Sequence, residues 1–205
     1  MTDEPLDGRG DDQHGDDQYG RDALRRLIAR DAIRELVYRY AWYLDSRDIE
    51  RLTGLFVEDV QVVARDRADS LYSSTNRQML AAMFTEQLRN LGPTTLLVGN
   101  HIIDFDDDDP MCATGIVYCR GYIQDPIGFI EQMIVYSDQY RCCEDGAWRF
   151  VSRRHELFFG VVTAEQPHDQ PPANWPQHQV GVGTIPFRLA TWQTFMATKP
   201  PAASS

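Results

Sequence analysis

TTLLVGNHIIDF (residues 94–105), MCATGIVYCRGYIQ (111–124), FIEQMIVYSDQYR (129–141) and AWRFVSRRHELFFGVV (147–162) follow one another with only short polar breaks. The breaks at 106–110, 125–128 and 144–146 are rich in Asp, Gly and Pro, the residues that favour tight reversals. Long runs rich in β-branched and aromatic residues, joined by such turns, predict an antiparallel meander.

Upstream, the hydrophobic period changes. Leu24, Leu27, Ile28, Ile33, Leu36, Val37, Tyr40, Ala41 and Leu44 recur at three- and four-residue steps, which predicts an amphipathic helix broken near Asp31. Asp45 or Ser46 is placed to cap a second, short helix whose buried side is Ile49, Leu52, Leu55 and Phe56. Residues 57–64 read as a strand followed by a polar turn, and 78–91 as a helix stopped by Gly92-Pro93. Helices first and strands after predict an α+β domain over residues 22–162, with helices on one face of a curved, mainly antiparallel sheet. Residues 1–21 are too polar and acidic to offset chain entropy by burial and are expected to be disordered. Residues 163–205 form a Pro-rich extension. Its Trp175, Phe187, Leu189, Trp192 and Phe195 are too apolar to stay in water, so it is expected to pack on the domain or on a partner subunit.

Composition removes several classes of function. With 31 acids against 20 bases, a formal charge of −11 lacks the basic footprint that nucleic acid or an anionic membrane requires. No apolar run approaches the ~20 residues of a membrane span, and the polar N-terminus is unlike a signal peptide, so a cytoplasmic location is expected. Cys112, Cys119, Cys142 and Cys143 lack zinc-site spacing and read as reduced thiols. The acidic run from Asp104 to Asp109 lacks the glycine and the closing glutamate of a calcium loop, with Gly115 at the closing position, and reads as a solvated turn. Phosphate-cradling, dinucleotide and nucleophile-elbow motifs are missing too, so neither cofactor nor metal is expected.

Few residues remain as candidates for chemistry. Asp45 follows Val37 and Ala41 at four-residue steps, which makes it either a cap at a helix junction or a carboxylate facing the interior. In the second case burial would raise its pKa toward the range useful for acid–base work. Tyr40, on the same helix, either packs in the core or donates a hydrogen bond to a developing oxyanion. His155 and Arg154 lie in a polar island of the last strand run, and strand alternation without a register does not say which face each takes.

The stretches Asp31-Ala32-Ile33-Arg34-Glu35-Leu36, Tyr38-Arg39-Tyr40-Ala41, Leu44-Asp45, Leu55-Phe56, Val98-Gly99-Asn100-His101, Tyr136-Ser137-Asp138-Gln139-Tyr140 and Asp145-Gly146-Ala147-Trp148-Arg149-Phe150 resemble SnoaL-like proteins of the nuclear-transport-factor-two-like superfamily. The resemblance spans about residues 24–160 and implies a cone-shaped α+β barrel. Polyketide cyclases, scytalone dehydratase, bile-acid dehydratase and a dehydrochlorinase share that fold. It implies cofactor-free proton chemistry on a hydrophobic polyketide- or steroid-like molecule, with Asp45 matching the family's acid and Tyr40 the accompanying tyrosine. The family's partner histidine is replaced by Leu96, so either another group moves the proton, with His155, Arg154 and Tyr118 as candidates, or the pocket is used without that chemistry. Catalysis is expected from Asp45, Tyr40 and His155, and substrate contact from Asn100, Tyr118, Arg154, Trp42 and Leu96. The competing expectation is a non-catalytic binding or assembly protein of the same fold. A homodimer is implied by analogy.

Overall fold

The computed structural model describes residues 12–65, 71–74, 76–126, 128–163 and 183–198. Helix α1 (Asp12–Asp45) is followed by α2 (Ile49–Gly54), β1 (Phe56–Arg65), β2 (Leu71–Ser74) and α3 (Arg77–Arg89). Then come β3 (Thr94–Phe105), β4 (Cys112–Asp125), β5 (Gly128–Cys142), β6 (Trp148–Thr163) and a C-terminal helix α4 (Ala190–Ala197). The order across the six-stranded sheet is β2-β1-β6-β5-β4-β3. The meander β3 to β6 is antiparallel as expected, while β1 joins β6 in parallel, so the sheet is mixed. It does not close into a barrel: β2 and β3 are its two edges.

Three expectations change. The helix α1 is unbroken through Asp31 and reaches back to Asp12, inside the segment expected to lack structure. Part of the reason is local, since Asp22 accepts from Gln18 and pairs with Arg25 one turn on either side. The cap of α2 is Asp48, which accepts from the Arg51 N–H, and neither Asp45 nor Ser46. The short strand β2 was not expected, because Leu71-Tyr72-Ser73-Ser74 offers too little alternation to be read as one. Trp175 lies outside the described residues. Among those residues no helix is long and apolar enough to cross a membrane.

The core sits between α1, α3 and the inward sheet face. Ile33, Leu36, Val37, Tyr40 and Ala41 form the buried stripe of α1, whereas Leu24, Leu27 and Ile28 are more than half exposed. Tyr40 is the hub of an aromatic cluster, edge-on to Phe56, Phe84, Tyr136 and Phe150 at centroid distances of 5.9–6.3 Å. Such contacts contribute about 0.5–1.5 kcal/mol each beyond burial. They fix the angle at which α1 crosses the sheet, and with it where Asp45 lands.

Candidate active site

A cavity of about 650 Å³ opens between α1, α3 and the inward face of β3 to β6. Most of its wall is aliphatic, from Leu44, Leu88, Leu91, Leu96, Ile130 and Val161 among others. Its chemistry is concentrated where Tyr40, Tyr136, Arg153 and His155 meet.

Strand pairing places these four. On β5, Ile134, Tyr136, Asp138 and Tyr140 alternate inward, and β6 sets Arg153 opposite Asp138 and His155 opposite Tyr136. Arg153 donates from Nε and Nη2 to the two Asp138 carboxylate oxygens at 2.8 and 2.7 Å, and both side chains are buried. Asp138 also accepts the Tyr140 hydroxyl at 2.8 Å, and His101 Nε2 lies 3.1 Å from that hydroxyl. The guanidinium lies 4.1 Å from the Tyr40 and Tyr136 ring centroids and 4.3 Å from that of Phe150. Burial works against its charge, but Asp138 more than offsets this and holds the group firmly protonated. Arg153 Nη1 is buried with no hydrogen-bond partner among the described residues. An unmet buried donor costs roughly 1–3 kcal/mol, more when charged, and a ligand oxygen would relieve that cost.

The same surroundings set the neighbouring protonation states. Burial pushes the Tyr40 and Tyr136 hydroxyls up, against the pull of Arg153, so both stay neutral donors. Burial, then the Arg153 charge, lowers His155, which is therefore a neutral imidazole at pH 7 and available to take a proton.

Asp45 ends α1 and is largely buried. The Thr94 hydroxyl donates to its Oδ1 at 2.8 Å and the Leu96 N–H to its Oδ2 at 2.9 Å. Burial pushes it up to about 6, while the Leu96 N–H, the Thr94 hydroxyl and Arg47 pull it back. Leu44, Thr94 and Leu96 line the cavity and Asp45 does not, so the carboxylate stands one layer behind the wall. The side chain that reaches the Leu96 position is aliphatic and carries no proton.

The expected catalytic and substrate-binding residues divide sharply. Tyr40, His155 and Leu96 line the cavity. Asn100 is exposed where β3 shifts register, Trp42 is half exposed on α1, and Tyr118 packs edge-on with Phe158 on the outer sheet face. Arg154 points outward and pairs with Glu156 at 3.0 Å. The inward arginine is its neighbour, Arg153. Sequence reasoning also passed over Tyr136, Asp138 and Thr94. A signal was present for Asp138: an acid at two-residue spacing between Tyr136 and Tyr140, in line with Ile134, has to be buried and needs a cation opposite.

Residues 25–154 match the SnoaL-like domain, well over half of the chain. The chain belongs to the SnoaL-like family. Solved structures that share the fold include an NTF2-like protein with a cystatin-like fold from Novosphingobium aromaticivorans, at 24% identity and TM-score 0.56, covering 74% of this chain and 92% of that one. Hexachlorocyclohexane dehydrochlorinase LinA-type3 from Novosphingobium barchaimii shares 16% identity at TM-score 0.61, with 69% and 94% covered. ActVI-ORFA from Streptomyces coelicolor shares 16% identity at TM-score 0.53, with 64% and 97% covered. No curated protein matches the sequence. In this SnoaL-like chain α4 lies beyond the matched stretch, which ends at residue 154.

Proposed function

We propose that this SnoaL-like protein is a cofactor-independent enzyme of the cyclase, dehydratase or isomerase type, acting on a largely hydrophobic, ketone-bearing molecule. The observation that carries the reading is a neutral His155 and the unpartnered Nη1 of Arg153 lining one otherwise aliphatic cavity. The two residues are two apart on one strand, roughly 6–7 Å along it, which leaves room for a carbonyl and its α-carbon between them.

In this reading His155 removes a proton from the carbon next to the carbonyl. The C–H electron pair moves into the enolate, and the oxygen that gains charge is met by Arg153 Nη1 with the Tyr40 and Tyr136 hydroxyls. The enolate then attacks a second carbonyl to close a ring, and the alkoxide so formed takes up the proton that His155 removed. Alternatively the enolate expels a β-hydroxyl, which leaves as water with the proton His155 took up. A positioned base contributes typically 10²–10⁴-fold and an oxyanion donor roughly 10²–10³-fold. From behind the wall, Asp45 keeps Thr94 and the Leu96 main chain in place. The outward sheet face, where Leu97, Ile102 and Phe158 are more than half exposed, supports a homodimer joined there.

The test is exchange of the α-hydrogens of 2-tetralone in D₂O, followed by proton NMR. Wild type is expected to accelerate exchange over buffer, and His155→Gln to lose most of that acceleration. Binding without any acceleration would favour a non-catalytic carrier, the reading that Leu96 in place of an ionisable residue supports.

A further inference from the structure

The turn after α1 holds an arginine in a conformation that arginine seldom adopts. Arg47 has φ 60°, in the left-handed region, and is 2% exposed. A non-glycine residue there costs on the order of 1–3 kcal/mol, so the surroundings must impose it. They do so through three hydrogen bonds: Nη1 donates to the Leu44 carbonyl and to Thr94 Oγ1, each at 2.8 Å, and Nη2 to the Gly92 carbonyl at 2.7 Å. The outer face of the guanidinium is closed by the Trp192 ring of α4, at 4.6 Å. Trp192 is buried, and its neighbour Thr191 donates to the Ser46 carbonyl at 2.8 Å. At the far end of α4, Arg89 Nη1 donates to the Thr198 carbonyl at 3.2 Å. The helix is therefore fastened at both ends beside the cavity.

The contact with Thr94 has a consequence for Asp45. A hydroxyl carries one hydrogen. Arg47 has donors only, so toward Arg47 the Thr94 oxygen must accept. Its single hydrogen is then left for Asp45 Oδ1, where the 2.8 Å contact is found. Arg47 orients the Thr94 hydroxyl, and Trp192 shuts out the water that would otherwise compete for both.

We infer that α4 is a working part of the site, with Arg47 as the positioning residue that holds the Thr94 hydroxyl on Asp45, one layer behind the cavity wall, and Trp192 as the residue that keeps water from both. The inference rests on the proposed function only in treating that wall as part of an active site. Its geometry stands without it. Among the described residues Arg47 is the one charged group acting on Asp45. From the packed elements, β3 presents Thr94 and Leu96, β4 the Cys119 thiol, which burial pushes up to about 12 and keeps neutral, and α4 no ionisable side chain.

The experiment is a carbon-13 NMR titration of the Asp45 carboxyl in the full chain, with the resonance assigned by its loss in Asp45→Asn. Trp192→Ala admits water to Arg47 and Asp45, so the Asp45 titration is expected to move down by about one unit toward an ordinary carboxylate. Trp192→Leu keeps bulk without the aromatic face and is expected to shift it in the same direction by less. Thr94→Val removes the hydroxyl donor and is expected to move it up. Circular dichroism decides which variants are folded, and Trp192→Leu is the deciding one where Trp192→Ala is not. An Asp45 titration unchanged from wild type in a folded Trp192 variant would overturn the inference. Because no substrate is used, failure here leaves the exchange test of His155 untouched, and the converse also holds.

Discussion

Removing the negative half of the Arg153–Asp138 pair should be one of the most damaging single changes available in this domain. Asp138→Asn keeps the shape of the side chain but leaves a guanidinium that is 2% exposed, ringed by Tyr40, Tyr136 and Phe150, with no counter-charge. Arginine cannot escape by losing its proton. Breaking a buried pair in this way costs about 3–5 kcal/mol. Against the roughly 5–15 kcal/mol that holds an ordinary domain, that is about a fifth of the total or more. The complementary change behaves differently. In Arg153→Met the stranded carboxylate can take up a proton, so its folded pKa rises above its unfolded value. The resulting cost is present at neutral pH and fades as pH falls toward the unfolded pKa of roughly 4. Urea unfolding of both variants at pH 7.5 and pH 5 checks this. Asp138→Asn should lose about 3–5 kcal/mol at both pH values, and Arg153→Met should recover part of its loss at pH 5. An Asp138→Asn variant within about 1 kcal/mol of wild type, or two variants with the same pH response, would refute the reasoning.

Two further outcomes follow from the same structure. The raised Asp45 pKa, about 6 against an ordinary 3.8, means the folded state holds this proton more tightly than the unfolded chain. Stability should therefore fall as pH rises from about 4 to about 6, by up to ~3 kcal/mol, and the fall should be missing from the urea titration series of Asp45→Asn. Phe158→Glu places a charge on the outward sheet face where we propose that a homodimer joins, and on that proposal should shift sedimentation equilibrium from dimer to monomer, while far-UV circular dichroism stays unchanged.

The sequence displayed the fold far better than the site. β3 was legible to the residue, and β4, β5 and β6 to within a residue or so, because each is a long apolar run closed by Asp, Gly or Pro turns. β2 was lost because four residues with two serines carry no periodicity. The break expected near Asp31 did not form, because a helix tolerates a polar residue on its outer side. The choice between Arg153 and Arg154 could not be made from alternation. Register shifts at Met133/Ile134 and Gln139/Tyr140 reset the faces, and one residue of offset exchanges inward for outward. Asp45 was readable as ambiguous and proved to be so in physical terms: buried and raised, yet behind the wall. The contribution of α4 was legible only as hydrophobicity, since nothing in Thr191-Trp192 states that it will cover Arg47.

On the proposed function, the meeting point of Arg153, Tyr40, Tyr136 and His155 stabilises an oxyanion in an otherwise apolar cavity. The most direct measurement is the ultraviolet titration of 2-naphthol, whose phenolate mimics an enolate, in the presence of saturating wild-type protein and of Arg153→Met. Bound naphthol is expected to ionise at a lower pH than free naphthol, and Arg153→Met to abolish the shift. Naphthol that binds but ionises at the same pH or higher would contradict it.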